Sequence, residues 1–260
     1  MIDNYEEFKA AINRMTGINL TDYKERQMKR RIDSLIAKRN FSDYESYVNA
    51  LKKDKTIYDE FINYITINVS EFYRNPRQWE ILEKEIVPML MKRSSNIKIW
   101  SSACSTGEEP YSLAMMMTRF LPLSQIKIHA TDLDKEVIAK AKSGLYNPKS
   151  LESLPPEFVT KYFTKEGELY RIKDEVKRCV DFQSINLLTD KYPENYDLIL
   201  CRNVLIYFTE EAKVQIYQKF NKSLRVGGVL FVGSTEQIIL SSRYHFKSAS
   251  TFFYQKEKDL

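Results

Sequence analysis

From residue 97 onward, short apolar runs alternate with segments of helical periodicity, and this narrows the fold more than any other feature of the chain. Ile97-Lys98-Ile99-Trp100 opens a strand over 97–101, and a helix follows from about Glu109 to Phe120 with Leu113, Met116, Met117 and Phe120 on one face. A strand at 126–131 ends in Asp132, and a helix from Asp134 to Ser143 closes at Gly144. Strands are expected again at 180–185 and 197–202. Thr209 caps a helix whose first turn carries Glu210 and Glu211, where the helix dipole favours acids, and Gly227-Gly228 ends it. Val229–Val232 and Thr251–Tyr254 are the last strands, readable as an antiparallel edge. Strands spaced by helices of this length imply a doubly wound α/β fold around a mostly parallel sheet.

Two parts of the chain fall outside the alternation. Residues 1–75 carry helical stripes only: Phe8, Ile12 and Met15, then a basic helix with Thr21 as its N-cap, then Tyr44 to Leu51, then Tyr58, Phe61, Ile62 and Ile65. An all-α domain over 1–75 and an α/β domain over 76–260 are therefore expected, the latter opening with a helix from Trp79 to Met91. Residues 155–180 hold Pro155-Pro156, a short helix to Tyr162 and a hairpin-like run, Phe163 to Ile172, turned at Lys165-Glu166-Gly167-Glu168. They read as a small antiparallel β insertion, whose edge strands can accept a partner's strand.

Composition removes several chemistries. The chain has 7 glycines in 260 residues, where about 18 would be usual. No G-x-G-x-x-G and no phosphate-cradling G-x-x-x-x-G-K-[ST] occurs. Cys104, Cys179 and Cys201 are odd in number and scattered, and the only histidines are His129 and His245, so neither a disulfide framework, a metal site nor a Ser-His-Asp triad is expected. The N-terminus is acidic without an apolar core, and no run of 18 apolar residues exists, so a cytoplasmic protein without membrane insertion is expected.

Charge is concentrated. Lys24 to Arg39 holds seven basic residues against Glu25 and Asp33, a balance of +5 that equals that of the whole chain. Lys24, Arg31 and Lys38 recur every seven residues, a basic row beside the apolar stripe Met28, Ile32, Leu35, Ile36. Such a row suits a solvated face or an acidic partner: nucleic acid, anionic membrane or acidic protein.

Four segments carry candidate chemistry. Ser101 to Glu109 links the first strand to its helix, where open parallel sheets bind ligands, and Gly107 with its small neighbours would allow close approach to the backbone. Glu108 there disfavours a pyrophosphate and favours a cationic ligand, while Glu109 suits the helix dipole. Asp132, 25 residues past Gly107, stands where an acid takes ribose hydroxyls, with Asp134 a competing candidate. An adenosine cofactor without phosphates fits both, and S-adenosylmethionine is one. Cys201 to Phe208 follows a later strand end, with Cys201 expected to be buried and inert. Asn68 to Arg74 closes the helical part.

Together Asn-Val-Ser-Glu-Phe-Tyr-Arg (68–74), Ser-Thr-Gly-Glu-Glu-Pro-Tyr-Ser (105–112), Ala-Thr-Asp-Leu-Asp (130–134), Ile-Asn-Leu (185–187) and Cys-Arg-Asn-Val-Leu-Ile-Tyr-Phe (201–208) resemble the chemotaxis receptor glutamate methyltransferase family, CheR, in order and spacing. The resemblance spans essentially the whole chain. It implies a Rossmann-like methyltransferase domain and methyl transfer from S-adenosylmethionine to glutamate side chains of bacterial chemoreceptors, with S-adenosylhomocysteine as product. It further implies cofactor contacts at Asn68, Ser70, Arg74, Glu108, Asp132, Asn186, Leu187, Arg202 and Asn203, with Arg74 and Tyr207 beside the transferred methyl. Lys24, Arg31 and Lys38 would face the acidic receptor bundle, with no nucleic-acid partner and the enzyme a monomer. The turn at Lys165-Glu166-Gly167 looks shorter than in members that tether to a receptor's C-terminal peptide, so no dependence on that tether is expected. A glutamate carboxylate, with an ordinary pKa near 4.3, is already a nucleophile at neutral pH, so positioning rather than a general base would carry the reaction. The rival readings are an RNA methyltransferase using the basic helix, and an inactive cofactor-binding module of the same fold.

Overall fold

The computed structural model describes Ile2 and residues 4–260; Met1 and Asp3, in the acidic N-terminal stretch, lie outside the described residues. The chain forms two compact units: Met1–Asn68 with Leu205–Gln215, and Val69–Val204 with Ile216–Leu260.

The first unit is built on helices α1 (Tyr5–Thr16), α2 (Glu25–Lys38), α3 (Tyr44–Lys53) and α4 (Lys55–Thr66). Asn4, Asp43 and Asp54 start α1, α3 and α4 by accepting backbone N–H groups that the first turn leaves unpaired. The apolar stripes meet in one core, where Phe8, Ile12, Ile32, Leu35, Tyr47, Val48 and Phe61 are fully buried; each contributes about 1.5–3 kcal/mol. Thr21 does not cap α2. It lies in the 3-10 turn Leu20–Asp22, where Asn19 accepts both its N–H and its hydroxyl, and α2 starts at Glu25 without a side-chain cap.

Residues 205–215 belong to this unit, although the sequence places them in the α/β part. Backbone bonds hold them: Lys24 N–H donates to the Tyr207 carbonyl at 2.8 Å and Thr209 N–H to the Asp22 carbonyl at 2.8 Å. Tyr23 and Phe208 add an isolated antiparallel bridge, their rings 5.1 Å apart.

The second unit contains strands β1 (Ile99–Ser101), β2 (Ile128–Asp132), β3 (Leu145–Tyr146), β4 (Phe163–Glu166), β5 (Leu169–Ile172), β6 (Val180–Ser184), β7 (Tyr196–Cys201), β8 (Leu224–Val232), β9 (Phe246–Ser250) and β10 (Phe253–Lys256). Among the described residues, seven of them form one sheet in the order β6-β2-β1-β7-β8-β10-β9. The first five are parallel, while β10 runs antiparallel to both β8 and β9. Burial along β1 and β7 is nearly continuous, as in strands covered on both faces. Strand order reverses between β1 and β7, which opens a crevice at their carboxyl ends.

Helices α5 (Pro76–Ile81) and α6 (Val87–Met91) flank a π-type turn at Leu82–Ile86. The rest are α7 (Glu108–Met117), α8 (Lys135–Ser143), α9 (Pro156–Tyr162), α10 (Asp174–Lys177) and α11 (Glu210–Ser223). Thr209 does cap α11, its hydroxyl accepting from Ala212 N–H. Gly227-Gly228 does not end that helix: α11 stops at Ser223 and both glycines lie inside β8. Gly227 has φ +83°, and a distant side chain packs against it. A Cβ on Gly227 would come within 2.0 Å of the Arg93 guanidinium, which donates to the Val226 carbonyl. The insertion forms the expected hairpin of β4 and β5, and β3 adds a third strand on the β5 side.

Gly107, the residue before α7, has φ +95°, and a Cβ there would meet Ala141 at 2.9 Å, the Tyr146 hydroxyl at 3.0 Å and Tyr111 at 3.1 Å. Protein atoms, not a ligand, fill the space that its missing side chain leaves. Gly167 has φ +59° with nothing within 4 Å. Gly167→Ala should therefore cost about 1 kcal/mol, the left-handed penalty alone. Gly107→Ala should cost about 2–4 kcal/mol, since overpacking is added. Urea unfolding of both variants measures the difference.

Candidate active site

The crevice between β1 and β7 is clasped by its own backbone. Ser102 N–H and hydroxyl both donate to the Leu200 carbonyl, at 2.9 and 2.8 Å, and Cys104 N–H donates to the Thr131 carbonyl at 2.9 Å. The loop after β1 is thus fixed to both neighbouring strands before any side chain is considered.

Asp132 ends β2 and is fully buried against this loop. Its carboxylate accepts Ser105 N–H at 2.8 Å and Asp134 N–H at 3.0 Å. Burial pushes its pKa up to about 6, with those backbone bonds opposing the shift. Asp134, the competing candidate, is occupied as N-cap of α8, accepting from Glu136 and Val137. Glu108 is also buried, its carboxylate held by the Thr106 hydroxyl at 2.7 and 2.9 Å; burial raises its pKa while Thr106 and the neighbouring Ser70 favour the charged form.

Glu109 is no helix-dipole ornament. It accepts from the Ser101 hydroxyl at 2.8 Å and pairs with Arg202 at 3.2 Å, the two side chains 12% and 2% exposed. Burial raises the Glu109 pKa and lowers that of Arg202, and each charge opposes the shift of the other. Arg202 Nη2 also donates to the Arg74 carbonyl at 2.7 Å, Gln78 Oε1 at 3.0 Å and Asn75 Oδ1 at 3.2 Å. Its guanidinium lies 4.7 Å from the centre of the Phe231 ring and 5.8 Å from that of Trp79. Arg202 therefore joins the end of β7, the start of α7 and the segment 74–78. This explains why residues 69–75 pack with the sheet rather than with the helices. The Arg74 side chain reaches back to the Val69 carbonyl at 3.0 Å.

The remaining expected residues divide by location. Asn203 follows Arg202 with φ +60°, its N–H held by Glu236 at 2.6 Å. Asn186 and Leu187 follow β6, and their polar groups close that loop: Asn186 bonds Asp190 and Leu188, while the Leu187 carbonyl accepts the Tyr192 hydroxyl at 2.6 Å. Asn68 and Tyr207 belong to the helical unit, where Asn68 Nδ2 donates to Thr66 at 2.9 Å. On α2, Arg31 is turned onto Tyr64, donating to its carbonyl at 2.6 Å with the guanidinium 4.6 Å from the ring centre. Lys24 is half-buried, and Lys38 is exposed. Sequence reasoning missed Glu236 and the structural use of Glu109, because their partners lie 33 and 93 residues away with no local motif. Cys201 is buried, and burial pushes its thiol well above the usual range.

These residues fit an adenosine bearing a cation. Asp132 and Glu108 provide acceptors, and the Ser105 hydroxyl is buried in the same loop without a partner in the protein. Among the described residues no cluster suited to a metal ion exists, and no helix is long and apolar enough to cross a membrane. His129 stands in the first half of β2, its Nδ1 2.8 Å from the Tyr196 hydroxyl, and His245 bonds the Asp259 carbonyl.

Comparison with known proteins matches residues 68–254 to a family described as CheR methyltransferase, SAM binding domain, and residues 3–66 to CheR methyltransferase, all-alpha domain. A chemotaxis protein methyltransferase of Listeria innocua is 45% identical over 97% of both chains. One of Escherichia coli is 32% identical over 98% of this chain and 91% of its own, and one of Borreliella burgdorferi 33% identical over 85% and 83%.

Two outcomes follow from the buried charges. Asp132 accepts its bonds as the carboxylate, so S-adenosylmethionine affinity should fall about tenfold between pH 7 and pH 5, as the competent fraction falls below a pKa of about 6. Calorimetric titration across this range measures it, and Asp132→Asn should flatten the profile. The sign for folding is opposite: the raised pKa makes stability fall as pH rises from about 4 to 6. Arg202→Met should cost about 3–5 kcal/mol, because Glu109 is left buried without its cation, and adding Glu109→Gln should recover part of it in urea melts.

Proposed function

The chain belongs to the CheR methyltransferase family, and on that premise we propose that it methylates glutamate side-chain carboxylates of chemoreceptors, forming methyl esters. It is an S-adenosylmethionine-dependent methyltransferase of chemotaxis. The substrate atom is the finer reading. It is carried by one observation: the crevice's buried carboxylates are already engaged by protein donors, Asp132 by two backbone N–H groups, Glu108 by Thr106 and Glu109 by Ser101 and Arg202, and both histidines are engaged elsewhere.

With those carboxylates so engaged, the site suits a nucleophile that needs no base. Glutamate is ionised at neutral pH, whereas an amine or a hydroxyl must lose a proton. When bound, the cofactor supplies a methyl group made electrophilic by its sulfonium. The chain's part is to hold and orient. Asp132 and Glu108 take the adenosine and amino-acid ends, with Asn68, Ser70, Asn186, Leu187, Arg202 and Asn203 completing the cofactor contacts. Arg74 orients the incoming carboxylate, and Tyr207 offers its hydroxyl nearby. A tight grip by Arg74 would stabilise substrate and transition state alike, so orientation is its useful contribution.

Helix α2 is the surface we assign to the receptor, whose cytoplasmic bundle is acidic; the enzyme works there as a cytoplasmic monomer. Lys24, Arg31 and Lys38 form the row, and Lys38 is its most exposed member. The engagement of Arg31 on Tyr64 gives it a fixed direction, which suits a docking cation better than a freely rotating one.

Incubation with methyl-labelled S-adenosylmethionine and receptor-containing membranes tests the reading. The label should be released by mild alkali, as an ester is; alkali-stable label would assign nitrogen or carbon methylation instead. Arg74→Ala and Tyr207→Phe should each lower kcat by about 10²-fold. Unchanged turnover in both would remove these two residues from the site.

A further inference from the structure

Three large apolar side chains among the described residues are more than half exposed: Ile239 at 83%, Val69 at 71% and Leu240 at 55%. An isolated exposed side chain of this kind is ordinary, but these three share a location. Each sits on a segment bonded to the residues that follow β7. The Val69 carbonyl accepts from the Arg74 side chain at 3.0 Å, and the Arg74 carbonyl accepts from Arg202 at 2.7 Å. Ile239 and Leu240 lie in the turn beyond β8, where Glu236 accepts the Asn203 N–H at 2.6 Å. Ile239 is three residues past Glu236, and three residues span at most about 11 Å. Two separate segments thus bring exposed apolar surface to the neighbourhood of Arg202-Asn203, at the crevice.

The second segment is held in its shape. Ile238 is buried, and its N–H donates to the Tyr254 hydroxyl at 3.0 Å. The Leu240 carbonyl accepts Arg243 N–H at 2.9 Å. Between these fixed points Leu240 has φ +54°, a left-handed conformation that a leucine adopts only against a steric penalty. A strained backbone and an apolar side chain left in water are both unfavourable, and such strain is concentrated where a surface is used.

A methyl acceptor that is a side chain on a helix does not arrive alone. Residues three and four positions away share its face of the helix, so they come down beside the crevice when the carboxylate enters it. We propose that Val69, Ile239 and Leu240 form an apolar rim that receives the receptor helix by packing against apolar side chains next to the glutamate being methylated. The basic row on α2 attracts an acidic bundle through a field that salt screens; the rim acts on contact, and salt does not weaken it. The proposal rests on the reading of a chemoreceptor glutamate as methyl acceptor.

Initial rates over a range of receptor-membrane concentrations, at saturating labelled S-adenosylmethionine, separate KM from kcat. Ile239→Ser should raise the receptor KM about tenfold, as for an isoleucine that loses its burial in the complex, with kcat changed less than about twofold. Ile239→Leu keeps the apolar area and should keep the wild-type KM. Leu240→Asn removes apolar surface while tolerating the left-handed backbone, and with Val69→Ser it should raise KM about threefold. The ratio of variant to wild-type KM should be the same at low and high salt, and calorimetric S-adenosylmethionine affinity and urea midpoints should not move. An unchanged receptor KM in Ile239→Ser, or a rise in Ile239→Leu as large as in the serine variant, would overturn the proposal. So would a parallel loss of S-adenosylmethionine affinity, which would assign the rim to the cofactor. If the wild-type chain transfers no alkali-labile methyl to the membranes, the reading of the substrate fails first, and the rim falls with it.

Discussion

The buried guanidinium of Arg202 is the joint on which the second unit depends. It takes four acceptors from two places: Glu109 at the start of α7, and the segment 74–78 through the Arg74 carbonyl and the side chains of Asn75 and Gln78. An ion buried this deeply needs acceptors and an opposite charge at hand; Nη1 and Nη2 find them, while Nε–H has no partner in the protein. Meeting that demand dictates where the chain goes. The segment 74–78 is brought to the end of β7, and α7 carries an acid at its second position. The segments around Arg74, Glu109 and Arg202 are therefore held together by one side chain.

Around this joint the loop after β1 is shaped by backbone bonds to both neighbouring strands and by Asp132 below it. The ordinary role of glycines in nucleotide-binding loops is to admit a ligand to the backbone. Here Gly107 admits Ala141, Tyr111 and Tyr146 instead, and the Tyr146 hydroxyl donates to the Thr106 carbonyl at 2.8 Å. The loop is packed from beneath by the protein itself. The carboxylates of Glu108 and Asp132 lie at this loop, acceptors that suit an adenosine in a chain poor in glycine.

Much of this was legible in the sequence, wherever the signal was local. Period-3.6 stripes marked α1 to α4, apolar runs between helices marked β1, β2, β6 and β7, and the Asp134 cap with Gly144 bounded α8. The errors arose where a distant residue decides. Gly227-Gly228 reads as a helix stop, yet both lie inside β8, where the side chain of Arg93, over 130 residues earlier in the chain, fills the space beside Gly227. Thr21 reads as a cap until Asn19 takes its N–H. Glu109 beside Glu108 reads as a dipole effect until Arg202 claims it. Glu236 sits in no recognisable pattern, because one of its partners, the Asn203 N–H, is 33 residues away and reaches it only through the sheet.

The helical unit is discontinuous in the chain. Its first stretch ends at Asn68, and its second, Leu205–Gln215, arrives only after the sheet's central strands have been made. That stretch supplies the carbonyl for Lys24 N–H, the N–H for the Asp22 carbonyl and the aromatic partner of Tyr23. No single cut of the chain yields this unit whole, and a ribosome has to finish most of the second unit before the first is complete.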